Sequence, residues 1–140
     1  MPRYTFYLAA PERTQDLLNI KWALRAAGYA VGSTWHDCEV NVSRLALENQ
    51  WNAQGMKRLQ LCDSLAVVCG KAEQVPVELA TMAGFALARG LQVIWIGPPL
   101  RMLSDFGSVQ QFDTASEFQQ QVFNGMYPQV PCVDREHLAA

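Results

Sequence analysis

The chain has no apolar run as long as the roughly 18 residues a membrane span needs, so no membrane partner is expected. The apolar part of its opening, MPRYTFYLAAPERT, is too short for a signal peptide, and charge follows at once. It also has no Lys/Arg-rich run, and its formal net charge is −2. No DNA or RNA polymer is expected as the main partner, because such binding leans on phosphate neutralisation. A nucleoside or mononucleotide stays open, since it needs only a small local site. The four cysteines, Cys38, Cys62, Cys69 and Cys132, form no CxxC pair, and no Cys/His cluster has zinc spacing. They read as reduced, mostly buried thiols of a cytoplasmic protein, with no metal site. The only histidines, His36 and His137, have no triad or metal set near them in sequence. The G-x-S-x-G, P-loop and G-x-G-x-x-G patterns are missing, which argues against a Ser/His/Asp hydrolase, an ATPase and a dinucleotide-dependent dehydrogenase.

What is present fits a compact globule. Half of the residues are hydrophobic and 17% are charged, a balance that disordered chains do not have. With 140 residues the expectation is one domain, able to bury roughly 68–70% of the surface its unfolded form exposes.

Strand-like and helix-like segments alternate. YTFYLAA (4–10), YAVGSTW (29–35), SLAVVCG (64–70), LQVIWIG (91–97) and SVQQF (108–112) read as strands. PERTQDLLNIKWALRAAG (11–28) reads as a helix with Pro11 in its first turn, Gly28 as its stop, and Leu17, Ile20, Leu24 and Ala27 on one face. VSRLALENQWNAQGMKRLQLC (42–62) reads as a second helix with an interruption at Gly55, and Trp51 as a core aromatic. PVELATMAGFALARG (76–90) is a third, with Pro76 first and Gly90 at the end. TASEFQQQVF (114–123) is a last helix, with Thr114 as N-cap and Glu117 completing a capping box. From about Met126 the tail has two prolines and no clear period.

This alternation predicts an α/β, Rossmann-like or flavodoxin-like three-layer sandwich, with about five parallel strands and helices on both faces. Ligands of such sheets bind beyond the carboxyl ends of the strands, where the strand order reverses. That gathers Ala9–Arg13, Ser33–Asp37, Cys69–Gln74 and Gly97–Pro99 around one crevice. The greasy segment QVPVELATMAGFALARG carries one acid, Glu78, at its start on this same edge. By itself Glu78 fits an ordinary first-turn acid facing the helix dipole. Asp63 fits a structural cap or turn residue. Lys71 and Arg101 fit solvated loop charges that sit on the ligand edge.

Several segments resemble the nucleoside 2-deoxyribosyltransferase family and the related nucleotide N-glycosidases. FYLAAP resembles that family's opening strand and loop, and GYAVGSTWHD its second strand. LCDSLAVV resembles the aD-x-v-v strand, and VELATMAGFALARGLQVIWIGP the glutamate-bearing helix with the strand after it. The resemblance spans roughly residues 4 to 125 and rests on the order and spacing of short motifs. It implies cleavage or transfer at the N-glycosidic bond of a nucleoside or nucleotide, with no cofactor and with a homo-oligomeric assembly. It implies Glu78 as the nucleophile at C1′, and Tyr7 as the residue that orients it or contacts the sugar. Ser33, Trp35 and Asp37 would line the pocket, with Trp35 offering a stacking face. Ala9 and Pro11, in the Ala9–Ala10–Pro11 loop, would lie against the sugar or a 5′-phosphate, and Arg13 would add to a phosphate site.

The chain departs from the family in three places. The glycine expected two residues after the glutamate is Ala80. The acid that holds the base before the aD strand has no counterpart in QGMKRLQLCD. GKAEQVP stands where the family has a Gly-rich loop. Aligning from the helix end places Met82 at the glutamate position, whereas counting from Pro76 places Glu78 there; the two lie one helical turn apart. The sequence therefore also fits a binding module that keeps the crevice without catalysis, or an interaction protein that has merely inherited the fold.

Overall fold

A computed structural model of the chain describes residues 4–11, 14–33, 53–69, 77–98, 103 and 108–124. The strands are β1 (Thr5–Ala9), β2 (Ala30–Val31), β3 (Ser64–Val68), β4 (Gln92–Ile96) and β5 (Val109–Phe112). The helices are α1 (Gln15–Ala26), α2 (Ala53–Gln60), α3 (Val77–Ala88) and α4 (Ala115–Phe123). All four strand pairs are parallel, in the order β2-β1-β3-β4-β5. This is the flavodoxin-like doubly wound arrangement, with its switch point between β1 and β3.

The composition of the strands explains their places. β3 is buried along its whole length, and β1 and β4 are buried except at their first residues. Central strands of a parallel sheet are covered on both faces and read as continuous apolar runs. The edges are polar or short: β5 is VQQF and β2 has two residues, which limits the pairing surface they present. Registers align Tyr7 with Leu65, Leu65 with Val93, Ala9 with Val67, and Val67 with Trp95. Side chains alternate along a strand, so Tyr7, Ala9, Val67 and Trp95 share one face. On the other face α1 packs with α4, and Phe118 of α4 meets Phe112 of β5 edge-on at 5.4 Å. α2 and α3 are joined where the Arg89 guanidinium donates to the Gln60 side chain at 3.1 Å, and α3 packs against β3 and β4.

The helix ends show how local chemistry sets the boundaries. α1 starts later than Pro11 suggests, because Thr14 in extended geometry takes the Leu17 amide on its hydroxyl at 3.3 Å; Pro11 lies in the bend before it. α1 ends in a Schellman motif: Tyr29 N–H bonds the Leu24 carbonyl, Gly28 N–H bonds that of Arg25, and Gly28 has φ 95°. α3 repeats the device with Leu91 to Ala86, Gly90 to Leu87, and φ 79° at Gly90. α4 begins as expected at N-cap Thr114, whose hydroxyl accepts from the Glu117 amide at 3.3 Å. α2 runs through Gly55 without interruption, since glycine weakens a helix without breaking it; residues 42–52 of that expected helix lie outside the described residues. Ala27, expected on the apolar face of α1, is its exposed C-cap.

No helix among the described residues is long and apolar enough to cross a membrane.

Candidate functional site

The switch point lies between the carboxyl ends of β1 and β3, where a sheet of this order has its crevice. β1 ends in Ala9 and Ala10, both fully buried, and Pro11 follows half-buried. Ser33 stands beside them with 1% exposure. β2 stops at Val31, the Gly32 amide bonds the Phe6 carbonyl at 2.8 Å, and the Ser33 hydroxyl then accepts from the Leu8 amide at 3.0 Å. Ser33 thus carries the β1 ladder one step beyond its two-residue partner. A buried amide needs an acceptor, so this bond is a structural duty of Ser33 at the crevice edge. Arg13, Trp35 and Asp37 lie outside the described residues, as do Trp51, His36, His137, Lys71, Arg101, Cys38 and Cys132.

The sheet exit after β4 is held rigidly. Gly97 has φ 126°, a conformation open to glycine, and its amide bonds the Phe112 carbonyl at 2.9 Å. The fully buried Trp95 donates its indole N–H to the Pro98 carbonyl at 2.8 Å. No sequence motif singles out this bond; a tryptophan three residues before a proline carries no general signal.

Glu78 sits in the first turn of α3, the helix that follows β3. Its residue is half-buried, between the exposed Val77 and the fully buried Leu79. Among the described residues no hydrogen bond or ion pair holds its carboxylate. Met82, one turn further, is fully buried together with Leu79, Ala83 and Ala86. The Met82 position therefore belongs to the core, and Glu78 is the position on that side of the helix nearest the sheet's carboxyl edge.

Tyr7 is almost fully buried in β1, two residues short of the strand end. Burial pushes its hydroxyl up to about 12; Cys62 adds to the rise and Arg58 opposes it. Both of those groups flank the turn that enters β3, at the opposite edge of the sheet from Glu78. Cys69, which ends β3, has its thiol pushed up to about 12 by burial, so it stays protonated at neutral pH and is a poor nucleophile. Cys62 and Cys69 are both buried, and neither forms a disulfide among the described residues. Among the described residues no three His, Cys, Asp or Glu side chains gather as a metal site. Asp63 has the structural task its residue type suggests: its carboxylate accepts from the Thr5 amide at 2.7 Å.

No family model and no curated protein sequence matches the chain.

Proposed function

We propose that this protein breaks the N-glycosidic bond of a nucleoside or nucleotide, or transfers the sugar across it, with Glu78 as the nucleophile. The observation that supports this most is the setting of Glu78. Its carboxylate belongs to a half-buried residue and has no described partner, in the first turn of the helix that leaves the switch point. The described acid with a clear structural task, Asp63, instead holds the Thr5 amide. The nearby helix N-terminus favours negative charge at this position.

In the proposed reaction the Glu78 carboxylate attacks C1′ as the C1′–N bond breaks. The bonding pair leaves with the base, which takes a proton from solvent. Water, or the nitrogen of a second base, then displaces the ester at C1′ and frees the carboxylate. This is the double displacement of retaining glycosidases, with an oxocarbenium-like transition state at each step. Ala9, Ala10 and Pro11 would border the sugar.

A second reading, capture of a nucleotide-like ligand without turnover, draws support from Tyr7. Its hydroxyl is desolvated within the sheet, and the groups that shift it belong to the far edge. A residue so placed is suited to packing more than to orienting Glu78.

The deciding experiment incubates the protein and a Glu78→Ala variant with a panel of nucleosides and nucleotides and measures free base by chromatography. Release by the parent and not by the variant supports the enzyme. Equal release by both removes Glu78 from the mechanism. Ligand-induced thermal stabilisation without release supports the binding reading.

A further inference from the structure

At the amino edge of the sheet, one exposed leucine is fixed in place by the backbone around it. α2 ends at Gln60, and the chain enters β3 through Leu61, Cys62 and Asp63. The Leu61 amide bonds the Arg58 carbonyl at 3.1 Å, the Cys62 amide that of Leu59 at 3.0 Å, and the Asp63 amide that of Thr5 at 2.8 Å. Leu59 and Cys62 are buried by this turn, whereas Leu61 between them faces outward, 76% exposed. With the backbone tied on both sides, Leu61 cannot move inward without drawing its neighbours out of the core.

The surroundings of Leu61 are cationic and partly apolar. Lys57, exposed in the last turn of α2, lies at the helical spacing that brings it beside Gln60 and Leu61. Gln60 accepts from the Arg89 guanidinium at 3.1 Å, which joins the end of α3 to the patch. Arg89 in turn lies 5.8 Å from the centre of the half-buried Phe85 ring. The stems of Lys57 and Arg89 add apolar surface beneath their charged heads. Leu61 is therefore part of a continuous strip, unlike the scattered exposed leucines that every surface carries. No described acid neutralises this strip. Asp16, Glu78, Asp113 and Glu117 stand at the carboxyl edge, and the Asp63 carboxylate is engaged by the Thr5 amide at 2.7 Å. Among the described residues no ion pair involves Lys57, Arg58 or Arg89. The connections that enter β3 and β4 here, 61–63 and 89–91, are described in full. In a chain of net charge −2, this corner is a local positive surface with an apolar centre.

We propose that this corner of α2 and α3 docks an acidic peptide segment that carries an aliphatic side chain. Carboxylates of the partner would meet Lys57 and Arg89, and its aliphatic group would cover Leu61. A guanidinium offers five donors, and the Gln60 bond occupies one of those on Arg89. A nucleic acid fits this surface less well, because Leu61 offers a base no stacking face and Arg89 lies over the Phe85 ring.

The test uses fluorescein-labelled peptides and reads binding by anisotropy. The probe is a short peptide of glutamates with interspersed leucines; one control replaces its leucines by serine, another its glutamates by lysine. The probe is expected to bind about tenfold more tightly than the serine control, and the lysine control not at all. Raising the salt concentration should weaken the probe several-fold. Leu61→Ser should cut affinity for the probe by about fivefold to tenfold and leave that for the serine control unchanged. Lys57→Glu should weaken the probe by about tenfold. Arg25→Glu makes the same charge change at the same edge in the other helix layer, and should cost less than about twofold. All three altered residues are exposed, so the melting curves of the variants should overlay that of the parent. Absence of probe binding overturns the proposal. Equal binding of the serine control shows attraction by charge alone and overturns it, as do equal losses in Arg25→Glu and Lys57→Glu. Tighter binding of a single-stranded oligonucleotide than of the probe assigns the corner to nucleic acid. Sedimentation that finds the parent self-associated and Leu61→Ser monomeric assigns it to a second copy of the chain; either result overturns the peptide reading.

Discussion

At the amino edge of the sheet, polar groups are spent on holding strands and helix ends together. The Tyr4 hydroxyl lies 2.5 Å from Ser64 Oγ and donates to Gln92 Oε1 at 3.0 Å, linking β1, β3 and β4. Asp63 takes the Thr5 amide, Cys62 donates to the Arg58 carbonyl at 3.2 Å, and Arg89 reaches Gln60. At the carboxyl edge the described bonds hold backbone in place, through Ser33 on Leu8 and Trp95 on Pro98, while the Glu78 carboxylate is left without a described partner. Among the described residues, side chains at one edge are engaged in holding the frame, whereas at the other the Glu78 carboxylate has no described partner, and the proposed function draws on this difference.

The largest expected effect concerns the two weak acids buried within this frame. Tyr7 and Cys69 both have folded values near 12, against ordinary values of 10.0 and 9.0. Below pH 9 both are protonated in the folded and unfolded chain, and their contribution to stability is fully present. Between about 9 and 12 only the unfolded chain ionises, and stability falls by about 1.4 kcal/mol per pH unit for each group engaged. Denaturant unfolding followed from pH 7 to 11 should show this loss, and Cys69→Ala should move its onset from near pH 9 to near pH 10. An unchanged onset would mean that the thiol at the carboxyl edge is hydrated, and the contrast between the edges would weaken.

Next in size is Gly32→Ala. A Cβ there would stand 2.8 Å from Cys62 Sγ and 3.1 Å from Thr5 Cγ2. Cys62 is itself buried and bonded to Arg58, so little room exists to relax. The cost should be about 1–3 kcal/mol. Combined with Cys62→Ala it should be less than the sum of the two single costs, as expected for residues in contact. Strict additivity in denaturant melts would show that the amino edge is more yielding than its bonds imply.

Smaller effects separate two glycines of one helical segment. Gly90, at the amino edge, needs φ 79° for its Schellman bonds, whereas Gly84 is exposed and helical, and a Cβ added there would meet nothing within 4 Å. Gly90→Ala should destabilise by about 1–2 kcal/mol, and Gly84→Ala should stabilise by about 0.5–1 kcal/mol. Thermal melts that gave both the same sign would break the distinction.

Much of this frame was legible from residue pattern. Three apolar runs bounded by turn residues became the three central strands, because burial on both faces demands them. Gly28, Gly90 and Thr114 marked helix ends, because their backbone or hydroxyl chemistry suits little else there. What escaped were features decided by tertiary contact. β2 shrinks to Ala30–Val31, with Ser33 serving by its side chain where YAVGSTW reads as continuous strand. α1 waits for the Thr14 cap although Pro11 is acceptable in a first turn. Motif spacing leaves Glu78 and Met82 both open, and what the spacing does not show is their difference in burial, with Met82 in the core and Glu78 half-buried. The depth of Tyr7 was equally hidden, because alternation assigns a face and not a height along the strand.

The smallest expected stability change belongs to the residue expected to matter most for activity. Glu78→Gln keeps the size of the side chain and removes its charge. Among the described residues no partner is lost with that charge, so only the helix-dipole term of a few tenths of a kcal/mol is at stake. Its melting curve should therefore overlay that of the parent to within about 0.5 kcal/mol, while base release falls to background. A structural acid would show the reverse, with clear destabilisation and proportionate residual activity, as Asp63→Asn should through its bond to Thr5. Measuring both variants side by side turns the contrast between the edges into one comparison, and loss of stability at Glu78 without loss at Asp63 would invert it.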